Sequence, residues 1–519
     1  MAYQTIIKVV YKCLIIVVLL HLVSCSGSSN INNEKWPVSN SFDIKICLFK
    51  KHPPLSSIDP AELRYYVDQF ILYNVGDTLV RYDENNQIQG QLAKEWRISS
   101  DKKSVEFTLR DCARFSDGTP ITSEDVAATF KRLLIKKSNM HFRLHEYVVG
   151  ADKVGSIDDT VDGIQVISEN KIVLSFVAPV LGIINKLALS EFIILPKKAI
   201  NPLDLRIDWS VTSGAYYVKE WNGTEFTLLR NDYSILYSPK SPSKVTSIVN
   251  TNFYQSVAMV TNNEVQLLSM KVPLSAKSED CLSNINVEIL ARNFEWNNFI
   301  VLNPYSRRFR SLNARRTISS RVAKMDISSL PENIFRRAHE IFPDGLLGHT
   351  NIRASYEGAL ADDPAEFTLM VVDKYKTLKV DYLKKELSKL GIKIKCEFVD
   401  FDEMHRRVRK REFEAVFMAA GTSAQFPDAF FTFFLNPDTP YLIDPDGIVE
   451  KLAKEMVVAK DKYGKKMLIE RATRQLLDQA TFIPILFETV PIIVNNRYHF
   501  NNIQEFGEDI PLWQFRMKS

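Results

Sequence analysis

A dominant charge is absent from this chain: 66 Lys and Arg face 62 Asp and Glu, a formal net charge of +4. So small an excess gives no basic surface for nucleic acid, and no nucleic-acid partner is expected. Hydrolytic signatures are also missing, since there is neither a G-x-S-x-G elbow nor an H-E-x-x-H helix. The carboxylates are scattered among equally abundant bases, so no acid/base pair stands out and no catalytic residue is nominated. His141 and His145 stand four apart with Glu146 adjacent, a spacing that could hold a metal on a helix. No third ligand accompanies them, and a solvated helix face is the plainer reading; no metal or cofactor is expected. There is no internal repeat. Against these absences, 45% of the residues are hydrophobic, too many for disorder and enough for two or more lobes of ~100–200 residues each.

The amino-terminal stretch fixes the compartment. Lys8 and Lys12 give a positive start, and Cys13 to Leu20 (CLIIVVLL) is apolar but too short for a spanning helix of ~20 residues. This is the pattern of a secretory signal, and its removal lowers the net charge to +2. The run ends in Leu22-Val23-Ser24-Cys25, which resembles the lipobox of bacterial lipoproteins, where cleavage before the cysteine leaves it to be acylated, for example with palmitate. Residues 1–24 are therefore expected to be a lipoprotein signal peptide. Cys25 is the expected anchor, and 25–36, with its SGSSNINN run, a flexible tether. Cys47, Cys112, Cys281 and Cys396 then remain, and their three pairings, or free thiols, stay open.

The block from Ser57 to Leu134 carries the most local information. Val105, Phe107 and Leu109 alternate with polar neighbours as in a half-buried strand. Asp117-Gly118 provides a tight turn. Thr122 with Asp125 then makes a capping-box start for a helix with Val126, Phe130, Leu133 and Leu134 on one face. Basic residues from Lys131 to Lys137 suit the end of that helix.

The order of these segments, Ser57-Ile58-Asp59-Pro60, Gln91-Leu92-Ala93-Lys94-Glu95-Trp96 and Phe115-Ser116-Asp117-Gly118-Thr119-Pro120 with Ser123-Glu124-Asp125-Val126, resembles the family-five extracellular solute-binding proteins, the peptide- and nickel-binding components of ATP-driven importers. Thr212-Ser213-Gly214-Ala215-Tyr216-Tyr217, Trp221 and Arg230-Asn231-Asp232-Tyr233 resemble a second family segment, with Ala215 in place of a proline. Asn298 to Asn303 with Arg315 to Ile318 resembles the entry into the second lobe. The resemblance implies an α/β, two-lobed periplasmic-binding-protein-like fold of the large peptide-binding class, with a cleft between the lobes. It also implies a non-enzymatic monomer that captures short peptides by hinge closure and hands them to an ABC permease with its ATPase subunits. Relatives on this scaffold bind nickel complexes, haem or sugars, or act as sensors, so those roles stay open, as does adhesion. A secreted hydrolase is the remaining, weaker alternative. Expected boundaries are a first lobe over 37–270 with an inserted subdomain about 65–185, a second lobe over 271–482, and a return segment over 483–519.

Periodicity gives the second lobe on its own. Phe367 to Val372 reads as a buried strand; Val380, Leu383, Leu387 and Leu390 as a helix stopped by Gly391; Ile392 to Phe398 as a strand; Asp402 to Lys410 as a helix; and Phe413 to Met418 as a strand. That β-α-β-α-β order predicts a parallel sheet. Leu468 to Ala480 reads as a further helix, and 483–494 as one strand leading out. Ligand would sit at the strand ends, in the loop after Met418. The candidate contacts are Gly421, Thr422, Ser423, Gln425 and Asp428, with Leu55 and Tyr216 from the first lobe. The resemblance implies an aspartate beside the peptide's amino end, and Gln425 stands at about that place. Asp428 is left with two roles: pairing with a ligand's amino group, or capping the helix that follows it.

Overall fold

The computed structural model describes residues 42–48, 58–62, 66–85, 87–138, 142–222, 225–250, 252–269, 286–290, 295–330, 335–344, 346, 348–354, 366–372, 378–421, 427–435, 441–489, 492–503 and 509–518. The expected leader and tether with Cys25, and also Leu55, His141, Cys281 and residues 422–426, hence Thr422, Ser423 and Gln425, lie outside them.

Two sheets organise the chain. The first has seven strands in the order Val287–Leu290, Ile492–Asn495, Leu267–Ser269, Asp43–Leu48, Lys244–Val249, Phe226–Arg230, Tyr216–Trp221. Its central strand Asp43–Leu48 runs parallel to both Lys244–Val249 and Leu267–Ser269. Ile44, Ile46 and Leu48 enter one core cluster and Cys47 the other, so both faces of this strand are covered. The second sheet has six strands in the order Phe335–Arg337, Phe482–Thr489, Glu295–Leu302, Ala415–Gly421, Glu366–Val372, Lys393–Val399.

The predicted β-α-β-α-β unit is present in the second sheet. Glu366–Val372 pairs in parallel with Lys393–Val399 and with Ala415–Gly421. Helix Leu378–Lys389 ends before Gly391, whose φ of +81° is the left-handed stop that glycine makes cheaply. Helix Phe401–Arg409 starts at Asp400, whose Oδ1 accepts the Glu403 amide at 2.8 Å. The last strand is displaced from 413–418 to Ala415–Gly421, because Ala419, Ala420 and Gly421 pair with Asn298, Asn297 and Trp296. The long helix also begins earlier than expected, at Lys462, where Asp461 Oδ1 caps the Gly464 amide at 2.7 Å.

Three expected boundaries change. Val287–Leu290, assigned to the second lobe, pairs antiparallel with Ile492–Asn495 and belongs to the first sheet, so the chain crosses between Leu290 and Glu295. The expected single strand over 483–494 is two. Phe482–Thr489 bonds to Glu295–Leu302 in the second sheet, and Ile492–Asn495 bonds to Leu267–Ser269 in the first, which moves the start of the return segment from 483 to Ile492. Both pieces are apolar and buried, so hydrophobicity alone hides the change of sheet. Finally, Phe70, Ile71, Leu72 and Val75 of helix Tyr66–Val75 pack in the first sheet's cluster, so the inserted subdomain starts after Val75 instead of near 65.

That subdomain is an antiparallel sheet in the order Ala93–Ile98, Ser104–Leu109, Lys171–Ser175, Ile164–Ser168, covered by helix Ser123–Ile135. Thr122 donates its amide (2.9 Å) and hydroxyl (2.8 Å) to Asp125 Oδ2 at the helix start. Val126, Phe130, Leu133 and Leu134 are buried in one cluster with Phe107, Leu109, Ile172 and Leu174. Each such burial is worth roughly 1.5–3 kcal/mol. The Asp117-Gly118 turn holds as read: Asp117 Oδ1 accepts the Thr119 amide at 3.0 Å, and Gly118 has φ +83°.

His145 and Glu146 lie in one 3-10 turn, Leu144–Glu146, which is too short to present a helix face to a metal. Glu146 pairs with Arg143 at 3.1 Å. Among the described residues no group of three His, Cys, Asp or Glu could hold a metal ion, and no helix is long and apolar enough to cross a membrane. Cys47, Cys112 and Cys396 make no disulfide with one another, and the buried Cys47 thiol lies 3.5 Å from Ser256 Oγ.

Candidate binding site at the lobe junction

The strand Ala415–Gly421 is parallel to its neighbour Glu366–Val372, so its carboxyl end lies at the sheet edge where open α/β folds take ligands. Gly421 closes that strand opposite Trp296 and is half-buried. Helix Pro427–Phe434 follows. It is held by an aromatic cluster in which Phe430 meets Phe299 at 6.4 Å, Phe342 at 5.6 Å and Phe434 at 4.6 Å between ring centroids. This packing fixes the first turn, where Asp428 sits.

Neither expected role of Asp428 describes what it does. Its side chain is 1% exposed, and both oxygens are engaged by the protein's own ammonium groups. Lys186 Nζ lies 2.6 Å from Oδ2, and Lys465 Nζ 3.1 Å from Oδ1. Burial alone would push this carboxyl up, but the two lysines override it and hold it below the usual carboxylate range. Burial and the neighbouring Lys186 charge push Lys465 down, against the pull of Asp428. Lys465 lies in the first turn of the second lobe's long helix, Lys462–Gln479, whereas Lys186 ends the short helix Ile183–Lys186 in the first lobe's subdomain. The carboxylate therefore ties the two lobes together. Lys186 Nζ also stands 5.3 Å from the Phe142 ring centroid, a cation–π contact.

Tyr216 is equally removed from the cleft. It is fully buried in the first lobe's core, with its hydroxyl 3.1 Å from the Pro242 carbonyl oxygen, which accepts its proton. It packs and satisfies a polar end, and offers no surface to a ligand.

A cavity lies at the junction, lined by Phe142, Tyr147 and Lys186 from the first lobe and by Thr432, Leu435 and Val457 from the second. Phe142 and Tyr147 stack at 5.1 Å. Val457, from helix Ile448–Val457, joins the subdomain's own apolar cluster. A second cavity in the first lobe is lined by Tyr73, Thr78, Arg81, Gln91, Asp509 and Trp513. Behind it lies Asp77, 1% exposed, which accepts a hydrogen bond from Gln91 on Oδ1 and has no partner on Oδ2. Burial pushes its carboxyl up to about 7, against the Arg81 charge and the Gln91 bond.

Sequence reading missed Lys186, Lys465 and Arg132. Lys186 had a signal: it is a lone charge within the apolar run GIINKLAL, which a helix in solvent would not need. Arg132 was read as suiting a helix dipole, yet it is 1% exposed and grips Asp59 with both Nη atoms. The Asp59-Pro60 segment is thus a structural clasp.

Comparison with known proteins bears on the whole chain. Residues 87–441 match the model of the bacterial extracellular solute-binding proteins, family 5 Middle. A probable D,D-dipeptide-binding periplasmic protein of Escherichia coli K12 is 39% identical over 83 residues, 15% of this chain and 16% of the relative. The periplasmic murein peptide-binding protein of the same organism is 26% identical over 175 residues, 32% of each chain. These alignments span no more than a third of those relatives' lengths. In three dimensions the likeness is wider. The E. coli murein tripeptide binding protein superposes with TM-score 0.76 over 92% of this chain and 99% of its own, at 16% identity. NikA of Brucella suis, in complex with Fe(III)-EDTA, gives 0.76 over 92% and 100%, also at 16%. The two-lobed fold and the family match agree, and the chain belongs to the family-5 bacterial extracellular solute-binding proteins.

Proposed function

We propose that this chain is the lipid-anchored binding component of an ATP-driven importer, capturing short peptides between its lobes and delivering them to a membrane permease. The observation that carries this reading is the family match over residues 87–441 together with a junction at which residues of both lobes, Lys186 and Phe142 from the first and Thr432 and Val457 from the second, line one cavity. A ligand there bonds both lobes and stabilises their closed arrangement by the contacts it makes only in that state. The names of its relatives, among them a murein peptide-binding protein and a D,D-dipeptide-binding protein, support peptides as the ligand class. Extended peptides are held mainly through backbone hydrogen bonds of roughly 0.5–1.5 kcal/mol each, which give affinity with little side-chain preference. Gly421, Thr422, Ser423 and Gln425 are the proposed second-lobe contacts and Leu55 the first-lobe one. Cys25 is the proposed acylated residue, and the working form a monomer.

Native mass spectrometry of the purified, unlipidated protein tests the ligand class. A mixture of short peptides retained through purification is the expected result; a homogeneous non-peptide ligand, such as a nickel complex or haem, overturns it. Labelling with a palmitate analogue tests the anchor, with label expected on the natural protein and none on Cys25→Ser.

A further inference from the structure

The near-even charge of the whole chain hides a local excess. Residues 305–310 and 405–414 hold eight Lys or Arg against two Glu, whereas the excess over the entire chain is only four. Folding brings the two segments together on the second lobe. Asn303 Nδ2 donates to the carbonyls of Arg411 at 3.0 Å and Phe413 at 2.7 Å, Arg308 pairs with Glu414 at 3.2 Å, and the Arg411 guanidinium lies 4.0 Å from the Tyr305 ring centroid. Part of the charge is answered internally: Glu403 and Glu412 take Arg406, and Glu397 takes Arg407, each at 2.7 Å. At the neighbouring strand starts Glu366 stands beside Lys393, which leaves the excess unchanged. Arg307, Arg310, Arg409 and Lys410 are exposed and form no ion pair with any described residue. Tyr305, under the Arg411 guanidinium, is itself 42% exposed. Glu414 directly precedes Ala415–Gly421, so the patch lies at the amino end of that strand. The carboxyl end, which precedes the helix that carries Thr432 into the junction cavity, is roughly 20 Å further along.

We propose that this patch is a membrane-contact surface, on which Arg307, Arg310, Arg409 and Lys410 meet the phosphates of anionic phospholipid headgroups. Several cations held on one face add their attraction to a negatively charged bilayer, and arginine forks suit phosphate oxygens. Tyr305 places an aromatic ring with a polar tip among them, the kind of side chain that settles at headgroup level. The occupant follows from position and tether. A permease that receives ligand has to face the mouth between the lobes, whereas this patch sits at the opposite end of the strand from the junction. A protein anchored at Cys25 meets headgroups at high effective concentration, so even weak charge pairing orients its body. The choice of a membrane over an acidic protein rests on the lipid-anchored reading given above; contact of the folded body with the bilayer goes beyond that reading, since a tether alone does not require it.

The test is co-sedimentation of the purified, unlipidated protein with vesicles of phosphatidylglycerol and phosphatidylcholine, and with vesicles of phosphatidylcholine alone. Binding to the anionic vesicles is expected to be at least tenfold tighter, and to be lost at high salt, where exposed charges are screened. Arg307→Glu, Arg310→Glu, Arg409→Glu and Lys410→Glu together should weaken it at least tenfold. Lys102→Glu, Lys103→Glu, Lys153→Glu and Lys219→Glu together change the net charge equally at exposed sites of the first lobe, and should leave it within threefold. Thermal melts check that both variants fold. Arg409→Gln with Lys410→Gln, a milder change, is expected to weaken binding at least threefold and serves if the fourfold reversal does not fold. Equal binding to both kinds of vesicle overturns the inference, as does an equal loss in the two fourfold variants. Binding to neither vesicle also overturns it and assigns the patch to an acidic protein surface. No acyl chain takes part in this assay, so the anchor at Cys25 stands or falls separately, on the palmitate labelling.

Discussion

The guanidinium of Arg132 and the carboxylate of Asp59 meet as a two-pronged pair, Nη1 to Oδ1 at 2.9 Å and Nη2 to Oδ2 at 2.5 Å, while Nε donates to the Leu205 carbonyl at 2.8 Å. Burial would raise the Asp59 carboxyl, but Arg132, with help from the Ala61 amide and Lys136, holds it below its ordinary value. One side chain on the subdomain helix thus fastens two other segments of the first lobe. Arg132→Met is expected to destabilise by on the order of 3 kcal/mol, since Asp59 keeps only Lys136 and the Ala61 amide and the Leu205 carbonyl loses a donor. Arg132→Lys should recover only part of this, as an ammonium cannot form the fork. Urea denaturation followed by tryptophan fluorescence measures both.

Removing the junction carboxylate should be worse than removing one of its lysines. Asp428→Asn removes the carboxylate that the two buried ammonium groups share, at a cost of about 3–5 kcal/mol. Lys186→Met leaves a matched pair and should cost clearly less. Because the folded carboxyl is depressed, the stability it contributes is complete above its unfolded pKa and is lost as pH falls through the lower folded value. Thermal melts across the acid range should therefore show a loss in the natural protein that is smaller in Asp428→Asn.

Asp77 predicts the opposite slope. Its folded carboxyl is raised to about 7, so the proton is favoured by folding; the stability is present at acid pH and lost as pH rises through about 7. Asp77→Asn can keep the Gln91 contact without the charge. It should stabilise by on the order of 2–4 kcal/mol above about pH 7, progressively less as the pH falls, and have little effect near pH 4, where the carboxyl is protonated in both states. Melting temperatures of both proteins near pH 4 and near pH 8 check this. An equal shift at both would sink the explanation.

Gly214 should tolerate no side chain. A Cβ there would come within 2.4 Å of the Val75 carbonyl carbon and 2.5 Å of the Gly76 nitrogen, both backbone atoms that cannot rotate away. Gly214→Ala is expected to cost about 1–3 kcal/mol or more and to lower soluble yield, measured by expression level and melting temperature.

Sequence patterns were sufficient where one period dominated. The parallel unit from Glu366 to Gly421 and the capped helix Ser123–Ile135 were legible because alternation, helical spacing and end signals all agreed. They failed where burial on both faces removes the period, as in Phe482–Thr489 and Ile492–Asn495, two strands in different sheets that read as one. The junction was harder still. Lys186 and Asp428 are 242 residues apart, and only the packing of two lobes puts an ammonium against that carboxylate. Asp428 was noticed as a carboxylate in a promising loop, but its partner is set by tertiary structure, which no local spacing encodes.

The two crossings between the sheets have a mechanical consequence. Leu290 pairs with Ile492 at the margin of the first sheet, and Glu295 pairs with Thr489 at the margin of the second. The strand ends that flank both crossings are therefore bonded to each other, one pair in each sheet. Sliding one crossing strand past the other would have to break both pairs at once, so the register between the two sheets is fixed at Leu290, Ile492, Glu295 and Thr489.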